Sequence, residues 1–320
     1  MTSPDAPPGI EQLTACPLCT GGAWTPRPVP QTWIGPDVFG DLRDRLRVVC
    51  CEGCGLLFTN PRPSNERLDA FYSGDTYSCH SVAGSASAGA KADFLLQRIA
   101  RFLPRSEPGT LLDFGAGGGA FLAHAHSRGW TVRGFEPGQR GVESCRDAGL
   151  DVTDKVSDLP QNSFDVVTLF HVFEHIGDPA GVLELLRGLL RQDGRLVIEV
   201  PNATSLRSRL SLPLLTRHAG FDERFRAFPI HLMYYTGQTL RRMLEKSGWV
   251  VEGSFTLGMG LDELRMKSDM SDDEAATTRA HHSARTSVAR SVKPSLKHRV
   301  RDAFLAAGLG ENLAVVARRG

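Results

Sequence analysis

The chain has 320 residues, 41% of them hydrophobic, with 37 Lys and Arg against 36 Asp and Glu. That is enough apolar material for one good core and a small second unit, while the charge balance creates no global field for a polyanionic partner and makes a nucleic-acid ligand unfavoured. No stretch reaches the roughly 18 consecutive apolar residues of a membrane span, and Met1 to Pro8 has neither the basic start nor the apolar run of a secretion signal, so the expectation is a cytoplasmic protein without membrane association.

Residues 1–12 are rich in proline and are expected to form a disordered tail. Residues 13–63 follow as a unit built around four of the seven cysteines, Cys16-Pro17-Leu18-Cys19 and Cys51-Glu52-Gly53-Cys54. In a Cys-x-x-Cys knuckle the backbone turn aims two thiolates at one point, so two knuckles complete the closed four-sulfur shell of a structural Zn²⁺ site. The reading therefore takes Cys16, Cys19, Cys51 and Cys54 as zinc ligands joined by a hairpin, against reduced free thiols or disulfides as the alternative. Cys50 competes with Cys51, but only Cys51 restores the two-residue gap to Cys54. Pro61 and Pro63 mark the exit from this unit.

A connector, 64–104, begins with a short helix from Ser64 to Tyr72, crosses a Gly/Ser/Ala loop from Ser81 to Ala90, and ends in a second helix. In that helix Phe94, Leu95, Ile99, Phe102 and Leu103 recur at helical spacing. It is expected to cover the edge of a cofactor.

From residue 105 to 320 strand and helix patterns alternate as a parallel sheet requires. Strands are predicted at Leu111–Phe114, Thr131–Glu136, Asp151–Thr153, Asp165–Phe170, Arg195–Val200, Trp249–Phe255 and Leu313–Ala317, with apolar helix faces at Val182–Leu190 and Leu240–Leu244 closed by Gly194 and Gly248. After the first of these strands comes Asp113-Phe114-Gly115-Ala116-Gly117-Gly118-Gly119, and then a helix. Glycines let the backbone approach a nucleotide-like ligand, and the helix start offers unpaired N–H groups. Glu136, about seventeen residues past Gly119, ends the next strand where a carboxylate can accept from both hydroxyls of a ribose. Asp113 stands where a pyrophosphate would be repelled, which favours a cationic cofactor over a dinucleotide.

His171, Glu174 and His175 lie just past the fourth strand, at the sheet edge where ligands collect. A helix starting near His171 would put all three on one face. Asn202 to Phe228 mixes leucines with arginines and suits a lid over an acceptor pocket; the alternative is solvated helix faces. A polar insertion, 261–300, precedes the last strand and carries a basic block from Arg279 to Arg301.

Together, Asp113-x-Gly-x-Gly-x-Gly, Glu136, Phe164-Asp165-Val166-Val167 and the run from His171 to Pro179 resemble the class I S-adenosylmethionine-dependent methyltransferases. The similarity is to the branch with Glu-His-x-x-Asp-Pro after the fourth strand, and it covers residues 105–260 plus the last strand. Gly55-Leu56-Leu57-Phe58-Thr59-Asn60-Pro61 resembles the segment after the second knuckle in members of that branch with an N-terminal zinc-binding domain. The resemblance implies an α/β, Rossmann-like seven-stranded sheet with a small zinc-binding domain before it. It implies S-adenosylmethionine held by Asp113, Gly115, Gly117, Gly119, Glu136, Phe170 and His171. Tyr77, like Tyr72, would fold over the cofactor or serve packing.

Glu174-His175 resembles the catalytic pair of sugar methyltransferases, which makes His175 the expected general base; a loop-buttressing role is the alternative. His231, just before a helix capped by Thr236, is expected at the same edge as a base or a metal ligand. His171-x-x-Glu174-His175 with His231 also resembles the metal-binding Glu-x-x-Glu-His plus His set of plant small-RNA 2'-O-methyltransferases and some ubiquinone-pathway O-methyltransferases. Histidine here replaces the first glutamate, which disfavours Mg²⁺ over softer divalent ions. The leading expectation is a methyltransferase acting on a small-molecule acceptor: a sugar, a nucleotide-linked sugar or a secondary metabolite, at oxygen or nitrogen rather than carbon. The alternatives are a metal-dependent RNA 2'-O-methyltransferase and a zinc-dependent interaction module.

Overall fold

A computed structural model of the chain describes residues 8–27, 39–40, 42–73, 86–104, 107–206, 208, 228–258, 303 and 305–320. Tyr77, residues 1–7 of the expected tail, most of the expected lid and the whole polar insertion lie outside the described residues; the end of the expected tail is not disordered, since Ile10 and Glu11 form a strand paired with Pro63 and Arg62.

The first part of the chain contributes β1 (Ile10–Glu11), β2 (Trp24–Arg27), β3 (Val48–Cys51), β4 (Leu57–Thr59), β5 (Arg62–Pro63), α1 (Asn65–Ser73) and α2 (Ala86–Ala100). The alternating part follows with β6 (Thr110–Phe114), α3 (Ala120–Ser127), β7 (Thr131–Phe135), α4 (Gln139–Asp147), β8 (Val152–Thr153), β9 (Phe164–Phe170), α5 (Pro179–Leu189) and β10 (Leu190–Pro201). It ends in β11 (Met233–Tyr234), α6 (Gly237–Lys246), β12 (Trp249–Leu257) and β13 (Asn312–Arg319).

Seven of these strands form one sheet in the order β12-β13-β10-β9-β6-β7-β8. β13 runs antiparallel to β10 and β12, and the remaining pairs are parallel. This is the α/β, Rossmann-like architecture expected of the sequence. Its core follows from the two-residue period of a strand. Leu112, Val167 and Leu196 belong to the apolar cluster on one face, while their chain neighbours Leu111, Val166 and Val197 belong to the cluster on the other. Burying such a side chain contributes about 2 kcal/mol, which is why these central strands read as unbroken apolar runs.

Helix ends follow their residues. The Asp178 carboxylate accepts from the Gly181 N–H at 3.0 Å, with Pro179 in the first turn of α5. Thr236 and Thr239 close a reciprocal capping box on α6. Gly248, with φ of 76°, follows that helix as expected. Gly194 does not terminate α5. The chain passes from Leu189 straight into β10, whose first residue pairs with Phe164, and Gly194 lies inside the strand where the register shifts.

A second, four-stranded sheet has the order β11-β4-β3-β2. Three of its strands come from the cysteine unit; β11 comes from beyond residue 230. Val48, Leu56 and Phe58 of this unit are buried in the same apolar cluster as Leu183 and Leu186 of α5 and Leu240 of α6. The cysteine unit and one face of the large sheet therefore share a core.

Candidate active site

The glycine loop is pinned where β6 ends. Gly115 and Ala116 both donate backbone hydrogen bonds to the Phe135 carbonyl, at 2.7 and 2.9 Å. Gly115 has φ of 89°, and a Cβ there would collide with the Val172 side chain. Gly117, at φ of 54°, has nothing within 4 Å of its absent Cβ. That open space faces a cavity of about 690 Å³ lined by Asp113, Gly115, Gly117, Glu136, Phe170 and His171, among others. Gly119 does not line it and instead precedes the first residue of α3.

Glu136 crosses between the loop and β7. One carboxylate oxygen accepts from the Gly117 N–H at 2.7 Å and the other from the Gly138 N–H at 2.9 Å. A carboxylate has lone pairs for about four bonds, so acceptor capacity remains for ligand hydroxyls. Asp113 accepts from the Thr168 hydroxyl at 2.7 Å. Burial pushes its carboxyl up to about 7, against the Thr168 bond and with added repulsion from Glu136. A cation beside it would restore the ionised form. An open cradle at Gly117, a buried acid short of positive charge and a carboxylate with spare acceptors fit a nucleoside-bearing cation such as S-adenosylmethionine.

Beyond Phe170 the chain does not begin a helix at His171. That residue takes φ of 56°, its N–H donates to the Glu199 carbonyl at 2.9 Å, and only a short 3₁₀ turn, Phe173–His175, follows. The left-handed residue reverses the path so that the sheet's hydrogen bonding ends before the turn starts. The side chains nevertheless converge. Glu174 Oε1 lies 3.6 Å from His171 Nδ1 and 3.9 Å from Nε2 of both His175 and His231. Glu174 is 1% exposed, and neither of its oxygens has a hydrogen-bond partner among the described residues. Burial opposes its charge, yet His171, His175 and His231 hold the carboxyl down at about 2.

His171 and His175 line the cavity, whereas Glu174 and His231 stand behind them. Burial lowers the His175 pKa from its ordinary value, with Glu174 pulling the other way, which favours the neutral ring that can take a proton. Its Nδ1 meets the Tyr72 hydroxyl at 2.8 Å and the Ile230 carbonyl at 3.2 Å. The carbonyl can only accept, so it favours the tautomer with the proton on Nδ1 and the lone pair on Nε2.

Around His171 the structure adds residues the sequence reading did not single out. Glu199 Oε1 receives Lys91 Nζ at 2.7 Å and Asn312 Nδ2 at 2.8 Å, and lies 3.3 Å from His171 Nε2. Glu199 interrupts the apolar run Val197-Ile198-Glu199-Val200, and an acid there was a readable signal. Lys91 and Asn312 carried none, because their partner is set by the fold. Although burial opposes it, the flanking Glu174 and Glu199 raise the His171 pKa to about 9.

Two clusters have the donor sets of metal sites. Ligand atoms of Cys16, Cys19, Cys51 and Cys54 lie within 4.8 Å of one another, as do those of Glu174, His175 and His231. In the first, Sγ pairs stand 3.6 Å (Cys16–Cys54) and 3.4 Å (Cys19–Cys51) apart. Tetrahedral zinc with S at about 2.3 Å would space them by about 3.8 Å, so the residues fit it. Burial pushes the Cys16 thiol up to about 11, and a cation would reverse that. His171 stands outside the second three-ligand group.

No helix among the described residues is long and apolar enough to cross a membrane. The methyltransferase-domain family matches residues 89–253. Ubiquinone biosynthesis O-methyltransferases are similar over a shorter stretch: that of Pseudomonas paraeruginosa is 28% identical over 103 residues, 29% of this chain and 44% of the relative. That of Neisseria meningitidis serogroup C is 33% identical over 104 residues, again 29% and 44%. The chain thus spans less than half the length of these relatives. Among solved structures, a methyltransferase from Archaeoglobus fulgidus aligns at a TM-score of 0.46 and 20% identity, over 74% of this chain and 95% of that one. A second, from Mesorhizobium loti, aligns at 0.45 and 17%, over 75% and 100%. With the glycine cradle and Glu136 inside the matched residues, the chain belongs to the methyltransferase-domain family.

Proposed function

We propose that this enzyme methylates an oxygen or nitrogen of a small-molecule acceptor, with His175 as the general base. The observation that carries the reading is one cavity running from the glycine cradle and Glu136 to His175, with Asn65, Leu68 and Tyr72 of α1 on its wall. Asp113, Gly115, Gly117, Glu136 and Phe170 would hold the cofactor, which supplies an activated methyl on a sulfonium when bound. No covalent enzyme intermediate is needed, so the protein's tasks are alignment and proton removal. His175 takes the acceptor proton while Ile230 and Tyr72 fix the ring. Glu174 stabilises the imidazolium that results. Gly119 and His231, which do not line the cavity, would contribute to cofactor and base from further out.

The acceptor class is supported by a largely apolar, aromatic-bearing wall on a chain whose charge balance offers nothing to a polyanion; the O-methyltransferase names of the relatives agree with it. The test is incubation with S-adenosylmethionine and a panel of sugars, nucleotide-linked sugars and phenolic metabolites, read by intact mass. A gain of one methylene on a panel member, lost in His175→Ala, supports the reading; methylation of RNA alone would replace it.

A second reading of the same cluster is a divalent ion bound by Glu174, His175 and His231. A buried carboxylate with no hydrogen-bond partner among the described residues and with Oε1 beside the imidazoles favours it, and one carboxylate with two imidazoles suits a zinc-like ion better than Mg²⁺. Metal analysis would separate it from the cysteine site: two equivalents in the parent and one in Glu174→Ala support it, whereas one in both excludes it.

A further inference from the structure

The backbone of the histidine cluster is hydrogen-bonded to the cysteine unit. β4 starts three residues after Cys54 and carries Phe58 opposite Met233 and Leu57 opposite Tyr234 of β11. At the end of that ladder, the Thr59 N–H donates to the Leu232 carbonyl and the Thr59 hydroxyl to the His231 carbonyl, each at 2.9 Å. The Leu232 N–H in turn donates to the Glu174 carbonyl at 2.8 Å. One short path therefore joins β4, His231 and Glu174.

The first knuckle holds the other end of the same segment. Lys246 Nζ, at the end of α6, donates to the Leu18 carbonyl between Cys16 and Cys19 at 2.7 Å. β3 carries Cys51 and pairs with β4 in register. The first knuckle thus touches the stretch from His231 to Lys246 directly and the second reaches it through β4, while the glycine cradle is pinned by bonds of its own to Phe135 and Glu136.

We propose that Thr59 is a positioning residue for His231 and Glu174, through which the cysteine unit, when it holds its metal, sets the geometry of the histidine cluster and not the affinity for the cofactor. Thr59 is fully buried, so no water competes for its hydroxyl bond to the His231 carbonyl. Thr59→Val keeps shape and β-branching and removes only the hydroxyl; Thr59→Ser keeps the hydroxyl. The proposal rests on the reading that places catalysis at His175, but its primary readout does not need an acceptor.

The experiment uses full-length zinc-loaded protein with histidine rings labelled for NMR. In Thr59→Val the ring signals of His231 and His175 are expected to move, with zinc content unchanged and S-adenosylmethionine affinity within about twofold of the parent. Thr59→Ser is expected to restore both ring signals, and chelation of the cysteine-bound metal to move the same two. With any acceptor found by mass screening, Thr59→Val should lower kcat by about tenfold and leave KM for S-adenosylmethionine unchanged, a misplacement effect. Ring signals that stay put in Thr59→Val, or that move equally in Thr59→Ser, would overturn the proposal. So would loss of cofactor affinity in parallel with the shift. Absence of any methylated acceptor would count against the catalytic reading alone.

Discussion

The two halves of the cavity are made in different ways. The cofactor half is largely local: Asp113, the glycine loop and Glu136 lie in or next to one β6-α3-β7 unit, bonded to Phe135 and Gly138, and only Asp113 reaches a distant partner, Thr168 on β9. The acceptor half is assembled from afar, since Tyr72, His175 and His231 come from three segments separated by about a hundred and by more than fifty residues. Local construction makes a site that survives damage elsewhere. Remote construction makes one that depends on how the cysteine unit sits.

The sharpest break of this contrast is Gly115→Ala, which puts a Cβ into Val172 at a left-handed φ. Calorimetry should show cofactor affinity reduced by about a hundredfold or more, since the loop must shift at a position that lines the cavity and is proposed to hold the cofactor. Retained affinity would show that the cradle is softer than its bonding implies.

Next comes His175→Ala, for which methyl transfer should fall by about a hundredfold to ten-thousandfold while cofactor affinity stays within about twofold. A matching loss of affinity would erase the division between the halves.

Asp113 sharpens the cofactor side through pH. Its folded pKa of about 7 exceeds the ordinary 3.8, mainly because of burial. The ligand-free fold therefore binds more protons than the unfolded chain between these values, and the stability this group contributes is lost as pH rises through about 7. A bound cation favours the ionised form, so cofactor affinity should increase by about tenfold from about pH 6 to about pH 8. Asp113→Asn should flatten that profile.

The smallest expected effect is Tyr72→Phe. It removes the hydroxyl at 2.8 Å from His175 Nδ1 but leaves the Ile230 carbonyl to hold the ring. A drop in kcat of only a few-fold, with cofactor affinity unchanged, is the expected outcome; a hundredfold loss would promote Tyr72 to a proton-transfer role.

Legibility followed the same division. All seven strands of the large sheet were readable within a few residues, because a central parallel strand buried on both faces must be a continuous apolar run and its glycine loop a local turn. The helix expected at His171 was misread. Spacing alone could not reveal that the His171 N–H is taken by the Glu199 carbonyl, a partner supplied by a neighbouring strand. Likewise β10 begins at Leu190, where pairing with Phe164 overrides the helical apolar pattern.

What the order of residues determined by itself was the class of fold, the place of the glycine turn beside Asp113 and Glu136, and the grouping of cysteines into two knuckles, since each is written in contacts between near neighbours in the chain. What only the tertiary structure decided was the convergence of three imidazoles on the buried Glu174, the Lys91–Glu199–Asn312 cluster, and the sheet that ties β4 to His231. These arise from side chains and strands brought together by burial of a shared core, and no periodicity or local propensity encodes which distant partner a buried charge will meet.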